Sequence, residues 1–163
     1  MAQTGLATVY LAGIGGVTRD DAQAAEWTRK AADGDSPAQY DLALLYFTGR
    51  GVPQNDTESA RWLQKAADNG VVPAQNNLAL LYAMGRGVPQ DFTKAASLFR
   101  KAADQGFAEA QNNLGVLYAK GEGVKKSTTE AKKWFEKAAA QGYPSAQRNL
   151  ERLQQEQQPA PKK

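Results

Sequence analysis

Residues 44–54 read LLYFTGRGVPQ, and residues 80–90 read LLYAMGRGVPQ. The two stretches differ at two of eleven positions and lie 80 − 44 = 36 residues apart. Such a glycine-rich segment is either a ligand cradle or a turn, and recurrence decides between them. Tyr10, Tyr46, Tyr82 and Tyr118 keep the same interval, as do Gly13, Gly49, Gly85 and Gly121, and Gly15, Gly51, Gly87 and Gly123. Ala66-Ala67 recurs as Ala102-Ala103 and Ala138-Ala139, while the first copy, Ala31-Ala32, falls one residue late because GIGGV carries an extra residue. Self-similarity with a period in the thirties marks a chain of stacked supersecondary units. A phosphate cradle needs GxxxxGK[ST] after a strand, and a dinucleotide fingerprint needs a βαβ setting; neither pattern is present. The glycines therefore read as turn residues that follow helix ends.

Each unit contains two helical segments. In the second unit, Ala38, Leu42, Leu45 and Tyr46 fall at i, i+4, i+7 and i+8, one face of a helix A. Pro37 opens that helix and Gly49 closes it. Helix B follows the GRGVPQ loop. The position before it holds Asp20, Asn55, Asp91 or Ser127, all good N-caps. Gln23, Glu58 and Glu130 stand three residues later, so three copies are expected to close a capping box, and Lys94 breaks the pattern in the third. Trp27, Trp62, Leu98 and Trp134, with the alanine pairs beyond them, form the buried stripe. Interchange with leucine marks these tryptophans as packing residues rather than a stacking site, and the recurrent tyrosines read the same way. Gly34, Gly70, Gly106 and Gly142 end helix B. The expected architecture is all-α, a solenoid of stacked helical hairpins.

Composition narrows the function. The 163 residues include no cysteine and no histidine, which excludes disulfides, thiolate nucleophiles, histidine bases and zinc sites built from either residue. Asp20, Asp91, Glu58 and Glu130 sit at caps, no close carboxylate pair recurs, and no catalytic group, metal or cofactor is expected. The net charge of +3 comes from interleaved signs, with Lys125, Lys126, Lys132 and Lys133 the densest basic spots. That pattern fits a solvated face, and no nucleic-acid partner is expected. The apolar run over residues 5–17 is too short to span a bilayer, which needs about 20 residues. MAQT lacks the positive charge of a leader, so an exported chain would have lost its leader.

The unit A-x-x-x-L-(G/A)-x-L-Y-x-x-G-x-G-V, followed by a capped helix bearing W-(F/L)-x-K-A-A-x-x-G, resembles the Sel1-like repeat, a longer variant of the tetratricopeptide repeat. The fullest copy is AQNNLGVLYAKGEGVKKSTTEAKKWFEKAAAQG, residues 110–142. The resemblance divides residues 1–156 into units of about 2–36, 37–72, 73–108 and 109–143 and a half unit over 144–156, with a flexible tail or linker over 157–163. It implies a right-handed α-solenoid that serves as an adaptor for a protein or peptide partner. A cysteine-rich bacterial branch of the family lies apart from this cysteine-free chain. Family habit favours an exported bacterial location, with the cytoplasm as the alternative. Because helix A starts the chain directly, a partner or further repeats are expected to cover the first unit.

By analogy with tetratricopeptide architecture, helix A lines the concave surface. Its outer face carries Tyr40, Leu44 and Phe47 in the second unit, Asn76, Leu80 and Met84 in the third, Asn112, Val116 and Lys120 in the fourth, and Arg148 in the last helix. An apolar row with Phe47 and Met84 would bury partner side chains, and an Asn and Arg row would hydrogen-bond a peptide backbone or carboxylate. Leu44, Leu80 and Val116 fit equally well as packing between neighbouring A helices. Asn77 and Asn113, one step round the helix, fit a role bridging repeat junctions. A glycan-binding module and a passive spacer are the alternative functions. The glycan reading rests on Tyr40 and Phe47, the candidate sugar-stacking aromatics.

Overall fold

The computed structural model describes residues 2–157. Among them are nine α-helices and no strand: α1 Ala2–Ala12, α2 Asp21–Ala32, α3 Ser36–Thr48, α4 Asp56–Asp68, α5 Val72–Met84, α6 Phe92–Asp104, α7 Ala108–Lys120, α8 Thr128–Ala140 and α9 Pro144–Gln157. Odd-numbered helices are A helices and even-numbered ones are B helices. The tail expected over 157–163 lies, apart from Gln157, outside the described residues. The chain divides into two compact units, residues 1–90 and 91–163, with α1–α5 in the first and α6–α9 in the second.

Local chemistry sets the helix ends. The side chains of Asp20, Asn55, Asp91 and Ser127 each accept the N–H of the residue three positions on, satisfying a donor that the first helical turn leaves unpaired. The reciprocal half of the expected capping box is replaced. The N-cap N–H groups of Asp20, Asn55 and Ser127 donate instead to the carbonyls of Tyr10, Tyr46 and Tyr118, at 2.9–3.0 Å. Glu58 and Glu130 turn outward to Arg61 and Lys133. The tertiary contact to the preceding A helix thus takes the donor that an isolated helix would satisfy with its own glutamate.

Glycine shapes the joints between hairpins. Gly49 closes α3 in the left-handed region at φ 70°, and its N–H reaches Leu45. Gly51 lies against the first turn of α2: a Cβ on it would stand 1.8 Å from the Asp21 carbonyl oxygen. Gly87 meets Asp56 and Gly123 meets Phe92 in the same way. At the first joint Arg50 pairs with Asp21 at 2.9 Å, and at the second Arg86 pairs with Asp56 at 2.7 Å. The hydrogen bonds from Arg50 and Arg19 hold the Asp21 carboxyl well below the usual carboxylate range.

The core is built from alanine and large apolar residues. Ala24, Ala66, Ala95, Ala102, Ala131 and Ala138 are fully buried along the B helices, and Leu42, Leu78 and Leu114 are fully buried on the A helices. Trp62 and Trp134 are buried, whereas Trp27 and Leu98 at the same repeat position are half-buried. Lys30, Lys65 and Lys137 lie 4.2–4.3 Å from the ring centroids of Trp27, Trp62 and Trp134, one helical turn on. The position after the tryptophan goes deeper: Thr28, Leu63, Phe99 and Phe135 are all buried. The tyrosine row is structural, since Arg29 donates to the Tyr46 hydroxyl at 3.0 Å and Arg100 donates to that of Tyr118.

Candidate functional site

The outer faces of the A helices do not carry one uniform row. Asn76 is 0 % exposed and Asn112 is 6 % exposed, so neither presents its amide to solvent as the sequence pattern suggests. The reason is visible at Asn112. Helix α9 packs beside α7, and Asn149 donates to the Asn112 side-chain oxygen at 2.8 Å. Asn76 donates to Asn77, which in turn donates to the Tyr40 hydroxyl at 3.1 Å. A helical wheel drawn for one hairpin marks these positions as outward, but at Asn112 the adjacent A helix covers the face. Buried amides need partners: Asn149 on the next repeat serves Asn112, and Asn77 on the same helix serves Asn76.

A second polar row escaped the sequence reading. Gln39, Gln75 and Gln111 are buried, and their Nε2 groups donate to the carbonyls of Ala32, Ala67 and Ala103 at the ends of the preceding B helices. Asn69 and Gln141, the C-caps of α4 and α8, donate to the side-chain oxygens of Gln39 and Gln111. Gln39 and Gln111 thereby bridge successive helix B ends. The dipeptide Ala-Gln at 38–39, 74–75 and 110–111 carried the signal.

The remaining face residues are accessible. Met84 is 56 % exposed, and Arg148 and Lys120 are exposed; Tyr40, Leu44, Phe47, Leu80 and Val116 are half-buried. Lys120 pairs with Glu122 at 3.7 Å and Arg148 donates to Ser145. Val116 packs against the cluster of Ala131, Phe135 and Leu153. In the first unit, Leu44, Phe47, Leu80 and Met84 converge with Leu63, Leu81, Ser59 and Asn77 on a cavity of about 160 Å³ between α3, α4 and α5. Arg86 lies over Phe47, 4.2 Å from the ring centroid.

The same place in the second unit, 72 residues on, also holds a cavity, of about 380 Å³ between α7, α8 and α9. Its lining is charged: Lys120, Lys126, Arg152 and Glu156 surround Ala119, Phe135, Asn149 and Leu153. Arg152 stands where the first socket has Leu80, and Glu156 where it has Met84. One architectural socket therefore occurs twice with different chemistry. Among the described residues no cluster of three or more metal-ligating side chains exists, and no helix is long and apolar enough to cross a membrane.

Hairpins joined at glycines, with A-helix faces left to vary, define a helical-repeat protein of the solenoid class. Four Sel1 repeat matches cover residues 1–36, 36–71, 72–107 and 108–143, and the chain belongs to the Sel1 repeat family. It is similar to c5321, a protective antigen of uropathogenic Escherichia coli strains displaying an SLR fold, at 39% identity and a TM-score of 0.85 over 89% of this chain and 31% of that one. A Sel1 repeat protein from Oxalobacter formigenes matches at 31% identity and a TM-score of 0.80, over 91% of this chain and 59% of that one. Cysteine rich protein B of Helicobacter pylori matches at 27% identity and a TM-score of 0.63, over 81% of this chain and 97% of that one. The chain thus spans about a third of the first of these proteins and three fifths of the second. A search of curated proteins returns no match. Proteins built from Sel1 repeats generally mediate protein–protein interaction.

Proposed function

We propose that this chain is a non-catalytic interaction scaffold that takes a protein or peptide partner along its A-helix faces. The recurring socket carries the reading. Leu44, Phe47, Leu80 and Met84 line it in the first unit, and partly exposed apolar side chains around a concavity are what a partner's anchor residue buries. Within the second unit, Lys120, Arg148 and the socket residues Arg152 and Glu156 supply charge for selectivity. The sugar-binding alternative is weakened because Arg86 already covers one face of Phe47 and Asn77 engages the Tyr40 hydroxyl.

The test copies the charged socket into the apolar one. The double variant Leu80→Arg, Met84→Glu alters residues that are half-buried and exposed, and the fold already accommodates both replacements at Arg152 and Glu156. Affinity capture with wild type is expected to retain a protein partner that the double variant loses while its circular dichroism is unchanged. Equal capture by both would refute the reading.

A further inference from the structure

Ser59 is the anomaly in the first unit. Its repeat equivalents are Ala24, Ala95 and Ala131, all fully buried. Ser59 is also 0 % exposed, and among the described residues its Oγ has no hydrogen-bond partner. A buried hydroxyl without a partner is left desolvated at a cost, so its place in an alanine row calls for a ligand-side explanation. The hydroxyl-bearing residue lines the apolar socket.

The two sockets differ in one wall. In the fourth hairpin Gly115 faces Phe135, and a Cβ on Gly115 would stand 2.6 Å from that ring. The second hairpin has Ala43 and Leu63 at the same two positions. Leu63 makes this wall of the apolar socket aliphatic, where the wider socket of the second unit has the Phe135 ring. About 150 Å³ of apolar space is enough for one benzene ring, and this cavity measures about 160 Å³. An occupant must then be a single ring, apolar on its faces and edges, with one polar atom for Ser59. Asn77 is already committed to Tyr40 and Asn76.

We infer that the cavity between α3, α4 and α5 is a phenol socket that takes a tyrosine side chain of the partner, its hydroxyl paired with Ser59 Oγ. The inference rests on the interaction reading above, but the two fail separately, because a phenol titration needs no partner and partner capture needs no phenol.

The probe is p-cresol, with toluene as its hydroxyl-free counterpart, titrated into the full chain and followed by the methyl resonances of Leu44, Leu80 and Met84. Expected is saturable binding of p-cresol that is tighter than that of toluene. Ser59→Ala matches the alanine of the other three repeats and so keeps the fold. It is expected to weaken p-cresol by about 2- to 10-fold, the worth of one hydrogen bond, and to leave toluene unchanged. Toluene binding as tightly as p-cresol, an unchanged p-cresol affinity in Ser59→Ala, or no shift with either compound would each overturn the proposal.

Discussion

Gly51 shows how one residue fixes a joint. It combines a φ of 70° with a backbone contact that leaves no room for a Cβ. Gly15 has a similar φ of 72° but nothing within 4 Å. Gly15→Ala is therefore expected to cost only the left-handed strain, about 1–2 kcal/mol, and Gly51→Ala clearly more; urea denaturation of the pair separates strain from steric exclusion. Asp21, at the same joint, predicts a pH dependence. Its pKa is lowered in the folded chain, so its contribution is present above the unfolded value of about 3.9 and is lost as pH falls below it. Asp21→Asn is expected to be less stable than wild type near neutral pH, with the gap closing as the pH is lowered from about 5 toward 2. A gap that widens on acidification would exclude this role.

At the scale of the element, the N-caps give an asymmetric prediction. Asn55→Ala removes an acceptor used by the Glu58 N–H and is expected to cost about 1 kcal/mol. Glu58→Ala is expected to cost well under half of that, because its side chain pairs with exposed Arg61 rather than with the cap. The tryptophan–lysine turns suggest a gain. The third repeat has Lys101 but Leu98 at the tryptophan position, half-buried. Leu98→Trp is expected to add roughly 0.5–1 kcal/mol through the missing cation–π contact, read as a higher denaturation midpoint. Helix starts, helix stops and the hairpin itself were legible in the sequence because caps, glycines and apolar spacing act over a few residues. The loss of the reciprocal half of the capping box was not, since the carbonyl of Tyr46 that displaces Glu58 belongs to a different helix.

At the scale of the molecule, the period that reveals the fold also hides part of the site. Asn112 and Val116 recur at 36 residues whether they face solvent or a neighbouring helix, so spacing alone cannot rank their exposure. Asn149 settles Asn112 as internal, and Phe135 and Leu153 draw Val116 toward the packed cluster. The socket was half legible: Leu44, Phe47, Leu80 and Met84 stood on the expected face, but Ser59 and Leu63 come from helix B, which was read only as core. Repeat stability is carried between nearest neighbours. Leu153→Ala on α9 is accordingly expected to cost about 2–3 kcal/mol, with hydrogen exchange rising mainly within residues 91–157. Uniform loss of protection along the whole chain would contradict that. The glycine contact has a broader consequence. The second and third repeats each own both parts of their coupling: a glycine reaching back to the predecessor and a helix start offered to the successor. Duplicating residues 37–72 in frame should therefore lengthen the protein with a ready-made fit, detectable as a steeper denaturant dependence of unfolding, which makes growth by copying the natural mode of change for this chain.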